Sequence, residues 1–215
     1  MGYETQFDGS FDIHPPLRKE HREYLRSFTE TRRMQRDADK AEKLPDPKRV
    51  AVGLPIGTEG EFYVGGEIMG TVYPNKMEDF SVLDNNEPPI TQPGLWCSWE
   101  FFATGQHLFP CDGKNYAYGE WLLYLCRNFL KPWGYELTGG PIYITGEDID
   151  DRGELHVRLN AESGDYEVDH VDYEIVVRKA FTGVGWVKEQ VEPQKAVVLD
   201  WDGLEYMFKA TEITP

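Results

Sequence analysis

Between Gly94 and Asn160 a helical stripe is set among segments of strand character. Tyr118, Trp121, Leu122, Leu125 and Phe129 recur at i, i+3, i+4, i+7 and i+11, the spacing of a helix that buries one broad aromatic face. Such a face packs against a sheet. Pro132 has no backbone N–H to carry the helix on, and Trp133-Gly134 sets the chain into a turn. Upstream, Leu95-Trp99 reads as a strand. Downstream, Ile142-Thr145 and Leu155-Leu159 read as a hairpin joined by the polar run from Glu147 to Gly153. Four of the six tryptophans (Trp96, Trp99, Trp121 and Trp133) fall in this stretch, so it should supply most of the core.

On the N-terminal side, Tyr3, Thr5, Phe7, Phe11 and Ile13 alternate as a strand interrupted at Gly9, where a bulge or bend is expected. Pro15-Pro16 ends it and prepares a helix over about 17–37. Leu17, His21, Tyr24, Leu25 and Phe28 form the apolar stripe of that helix. Arg18, Lys19, Arg22, Arg26, Arg33 and Arg36 fall on the opposite side at about 100° per residue. A charged connector follows, then a short strand over Glu61-Val64. A long irregular stretch over 65–93, rich in Gly, Pro, Asn and Asp, is a candidate binding surface or lid. A second helix is expected over about 116–131. After Asn160 the pattern becomes β throughout: Glu167-Arg178, Gly185-Val191, Ala196-Trp201 and Leu204-Ala210. Asp202-Gly203 marks a two-residue hairpin turn. The fold expected is α+β, a mostly antiparallel sheet with two main helices and a β-rich C-terminal portion. Its division is a main domain over 1–160 and a β-rich extension or small module over 161–215.

Several runs carry a resemblance. GLWCSW, EWLLYL, FLKPWGYELTGG and ITGEDIDDRG, preceded by FDGSFDIHPPL, HREYL and ETRRMQRD, resemble an uncharacterised protein family of tailed bacteriophages and prophages over roughly residues 1–160. The resemblance supplies a context and no catalytic residues. The C-terminal runs VGWVKEQ, KAVVLDWDG and LEYMFKATEI weakly resemble a small barrel of the Src-homology or Tudor type, and an extension of the main sheet fits the same pattern.

Charge narrows the partners. The chain of 215 residues has a formal net charge of -16. Residues 1–49 hold 11 Lys+Arg against 10 Asp+Glu, so the remainder carries a net -17. Such a field disfavours nucleic-acid backbones and favours a partner with a basic surface. No apolar run reaches the roughly 18 residues of a membrane span, and the opening MGYETQFDGS lacks the pattern of a secretory signal. Cys97, Cys111 and Cys126 are spaced for neither a disulfide framework nor a zinc site, so a cytoplasmic protein with reduced thiols is expected, in the host cytoplasm if phage-encoded.

The chemistry-bearing motifs are sparse. Glu147, Asp148, Asp150 and Asp151 form a carboxylate cluster. Read as a calcium loop from Asp148, it places Arg152 at the fifth position and Leu159 at the twelfth, where a bidentate Glu belongs. The histidines show no zinc-hydrolase spacing, although His156 and His170, each in an expected strand, could meet in space. The Gly-rich runs lack the Lys-Ser/Thr of a phosphate loop. No cofactor or metal is expected. Three readings remain, in order: an accessory protein binding a host protein without catalysis, through the acidic turn Glu147, Asp148, Asp150 and Asp151 and the 65–93 stretch; a nucleotide-binding or sequestering protein using Arg22, Arg26, Trp96, Trp99 and Tyr116; and a metal-dependent enzyme using the carboxylates or a His pair. A virion component is a fourth.

Overall fold

Gly9 decides the topology. The computed structural model describes residues 3–65, 80–148, 151–177, 198–201 and 204–210. In it the alternating N-terminal run is two strands, β1 (Thr5–Asp8) and β2 (Phe11–His14), and they belong to different sheets. Gly9 between them adopts φ +118°, and a Cβ there would stand 3.1 Å from the Pro141 carbonyl oxygen. Only glycine takes that turn without strain. β1 pairs antiparallel with β8 (Ile142–Gly146). β2 lies between β6 (His107–Pro110) and β7 (Glu136–Gly139).

The α+β architecture follows. β8 continues to β9 (Arg152–Leu159) and the long β10 (Tyr166–Val177), then to β12 (Leu204–Ala210) and β11 (Val198–Trp201). Among the described residues the six-stranded sheet thus has the order β1-β8-β9-β10-β12-β11 and stays open, with β1 and β11 at its edges. Trp201 pairs with Leu204, the register of the expected two-residue hairpin. Residues 202–203 and the strand expected over 185–191 lie outside the described residues. The second sheet runs β5-β6-β2-β7, with β5 at Trp99–Phe101. A two-stranded ribbon joins β3 (Gln35–Arg36) to β4 (Val82–Asp84), so the far end of the stretch read as irregular is a short edge strand; residues 66–79 of it lie outside the described residues.

The first helix, α1, spans Lys19–Glu30 and stops seven residues before the expected end. Thr31 is extended, and its hydroxyl donates to the Ser27 carbonyl at 2.6 Å, the side-chain competition by which Thr ends a helix. The turn delivers Arg33 into the core, where it is 2% exposed. Its guanidinium lies 4.2 Å over the Phe28 ring and donates to the carbonyls of Tyr63 (3.0 Å) and Glu61 (2.5 Å) and to Gln92 Oε1 (3.3 Å). Arg36 is buried as well, over the Tyr63 ring and donating to Ser81. Two of the six cations assigned to an outer helix face are therefore inside. The same contacts explain why Glu61-Val64 forms no strand: its carbonyls accept from Arg33 and from the Tyr24 hydroxyl (2.9 Å to Phe62) rather than from a ladder.

Two short helices follow: α2 (Ala38–Ala41), capped by Asp37, and α3 (Pro47–Ala51), capped by Asp46 with Pro47 at its start. The buried Asp46 also accepts from Val64 N–H and pairs with Arg49 at 3.2 Å. The expected second helix is α4 (Tyr118–Leu125), continued by a π-turn over Cys126–Leu130 closed by Lys131 N–H onto the Cys126 carbonyl. The wider turn buries Cys126, Phe129 and Leu130 together. Phe129 then meets Tyr24, Phe28, Phe62, Tyr124 and Trp133, with ring centroids 4.9–5.9 Å apart.

His21, in the apolar stripe, is buried and stacked on Trp133 at 4.0 Å. Arg18 donates to its Nε2 at 3.2 Å, so the ring proton sits on Nδ1, directed at the Tyr135 hydroxyl oxygen 2.9 Å away. Burial, then the Arg18 charge, lower its pKa. The fold holds the neutral ring and the unfolded chain takes up the proton first, so stability is full above about pH 6.5 and is lost as pH falls through the lower folded value. Urea midpoints measured from neutral pH downwards should fall across that window, and His21→Gln should flatten the fall. Arg33→Met strips donors from buried acceptors and should cost about 2–4 kcal/mol in urea unfolding.

Candidate functional site

The start of α4 carries two departures from ordinary helix chemistry. Ala117, at the cap position, sits in the left-handed region (φ 54°) with no side chain capping the first turn, and Gly119 stands within that turn. Both belong to the helix end that faces the sheet. Gly119 faces Val168, to which a Cβ would lie 3.6 Å from Cγ1. Between this turn and the sheet lies an open cavity of about 470 Å³, lined by Ala117, Tyr118, Gly119, Glu120 and Leu123 of the helix end and by Leu155, Val168 and His170 of β9 and β10. That volume is in the range of ligand sites.

The register explains which strand residues reach it. Leu155 pairs with His170 and Val157 with Val168, so all four share the face under α4. His156 pairs with Asp169 and points to the other face, where its Nε2 meets Glu154 at 2.7 Å and Glu154 also accepts from the Tyr173 hydroxyl. His156 and His170 therefore do not meet.

Tyr118 is the centre of the cavity wall. The Phe7 ring meets it edge-on at 5.2 Å and the His170 ring at 5.7 Å, and its carbonyl accepts from Trp99 Nε1 at 3.0 Å. Its hydroxyl is 3.4 Å from His170 Nε2 and 3.5 Å from Nδ1. It faces the ring edge between the nitrogens, too far and too poorly aimed for a strong bond to either. Asp172 stands 3.4 Å from the same imidazole. Burial, then the carboxylates of Asp151, Asp172 and Glu120, push the Tyr118 phenol up to about 12. At neutral pH it stays protonated, a polar contact rather than a base. The thiols are equally unsuited to attack: burial raises Cys97 and takes Cys126 to about 12, and burial with the neighbouring Glu100 takes Cys111 to about 12.

The residues singled out from sequence divide into three groups. In the acidic turn, Glu147 accepts from Glu4 N–H at 2.8 Å, the Tyr3 hydroxyl donates to Asp151 and accepts from Asp148 N–H at 3.3 Å, and Arg152 Nη1 donates to the carbonyls of Gly146, Asp148 and Asp151. Asp150 lies outside the described residues. This turn is stapled to the N-terminus, and its Asp151 field reaches Tyr118. Trp99 is buried behind the first turn of α4, and Tyr116 is exposed just before it. Arg22 and Arg26 stay on α1, with Arg26 paired to Glu30 at 2.8 Å, while Trp96 is half-exposed under the Arg32 guanidinium. No nucleotide-shaped set of aromatics and cations is assembled from them. Among the described residues no three His, Cys, Asp or Glu side chains converge as metal ligands, and no helix is long and apolar enough to cross a membrane.

By its spacing Tyr118 belongs to the core stripe, which does not mark the cavity beside it. Its trace in the sequence is Gly119, since a glycine within a helix costs about 1 kcal/mol relative to alanine and calls for a packing reason. No protein-family model, curated protein or solved structure matches this chain. Gly119 has no positive φ and room for a methyl group. Gly119→Ala should therefore raise stability by about 0.4–1 kcal/mol in urea unfolding.

Proposed function

We propose that this chain is a phage-encoded accessory protein that binds a basic surface of a host protein without catalysis, countering a defence or redirecting a host factor. The observation that carries this is an open cavity lined by Glu120, Tyr118 and His170, in which the carboxylates of Asp151, Asp172 and Glu120 act on the Tyr118 phenol, whose pKa is raised to about 12. The Tyr118 phenol stays protonated at neutral pH, so it offers contact chemistry there rather than a base. The net -17 beyond residue 49 extends the same field and speeds encounter with a basic partner. The motif resemblance to tailed-phage proteins supplies the host context. A nucleotide-sequestering role is the weaker reading, because Asp151, Asp172 and Glu120 repel phosphate and the cations named for it lie elsewhere.

The test is capture by the tagged full chain from lysate of the bacterial host, with mass spectrometry of retained protein and small molecules. The expected result is one host protein at near-equal amount, released as salt rises from about 0.1 M to about 1 M. A retained nucleotide without protein, or nothing retained, overturns the reading.

A further inference from the structure

Resting on that binding role, we infer that the cavity between α4 and the β9–β10 face takes the alkylammonium side chain of a lysine from the partner. Its two halves differ in character. Leu123, Leu155 and Val168 give an apolar floor, while Tyr118, His170 and Glu120 give a polar end, with Asp172 against His170. A lysine has the matching division, an apolar four-carbon stem and a compact charge.

The field has the right sign at the right place. Three carboxylates, Asp151, Asp172 and Glu120, act on the Tyr118 hydroxyl, and each raises its pKa. The opposing effect is the positive end of α4, a partial charge that acts over its first turn. Glu120 in the first turn already offsets it, and two further carboxylates remain, so a cation is favoured over an anion. Held protonated, Tyr118 Oη still has lone pairs to accept from an ammonium, and the Tyr118 ring adds attraction to a cation over its face. Gly119 lines the cavity beside Val168, and the cavity exceeds one side chain, leaving space for the backbone that carries the lysine.

The probe is a blocked Gly-Lys-Gly peptide titrated into the full chain, read by the NMR signals of Tyr118, Val168 and His170, with the norleucine peptide as a neutral match in shape. The lysine peptide should shift these signals saturably and the norleucine peptide should not. Gly119→Leu, which fills the cavity and leaves the charge unchanged, should weaken binding about tenfold or more, a loss of roughly 1.4 kcal/mol. The pair Glu120→Gln and Asp172→Asn, away from the core, should weaken it about two- to fivefold, the range of exposed ion pairs. Equal binding of both peptides overturns the cation, and no saturable shift overturns the site. Unchanged lysine binding in Gly119→Leu also overturns the cavity, leaving diffuse attraction to the acidic surface. In each of these cases the host-protein capture, scored separately, still decides whether the chain is a binding protein at all.

Discussion

Arg33 is the interaction on which the rest of the core depends. A fully buried guanidinium is expensive to desolvate, and burial lowers its pKa. What holds it is a set of carbonyls rather than a carboxylate: Glu61 and Tyr63 of the segment after α3, joined by Gln92, which itself donates to the Glu61 carbonyl and to the Tyr124 hydroxyl. The side chain of Glu61 accepts from Tyr124 and from the Thr91 hydroxyl. The end of α1, two irregular segments and α4 are thus tied at one point. Irregular backbone can be buried there because donors replace the missing ladder.

That arrangement marks where sequence was readable. The stripes of α1 and α4, the 142–159 hairpin and the break at Gly9 follow from period and turn chemistry, which act locally. The end of α1 did not follow. Arg33 and Arg36 continue the helical pattern of cations, and only the acceptors 28 and 45 residues away turn them inward. β6 and β7 also went unread, since each is four residues long and finds its partner in β2 at the far N-terminus.

The cavity was hidden for a different reason. Tyr118 satisfies the helical stripe and His170 the alternation of β10, so each has an adequate structural explanation alone. Their meeting depends on the packing of α4 over β10 and on register, since a shift of one residue would present Asp169 or Val171 in place of His170. Gly119 gave the only local sign. The acidic turn was legible as a cluster, while its tethering by Tyr3 and Arg152 was not.

The crossing at Gly9 also sets an order of events. β1 must wait for β8 and β2 for β6 and β7, so the first fourteen residues hold two sheets together yet can join neither until most of the chain exists. On a ribosome adding about 5–20 residues per second, that leaves Phe7, Phe11 and Ile13 unpaired for on the order of ten seconds. The nascent chain spends that interval with its seam open. Closure is then a long-range step in which both sheets are completed by the same short piece of chain.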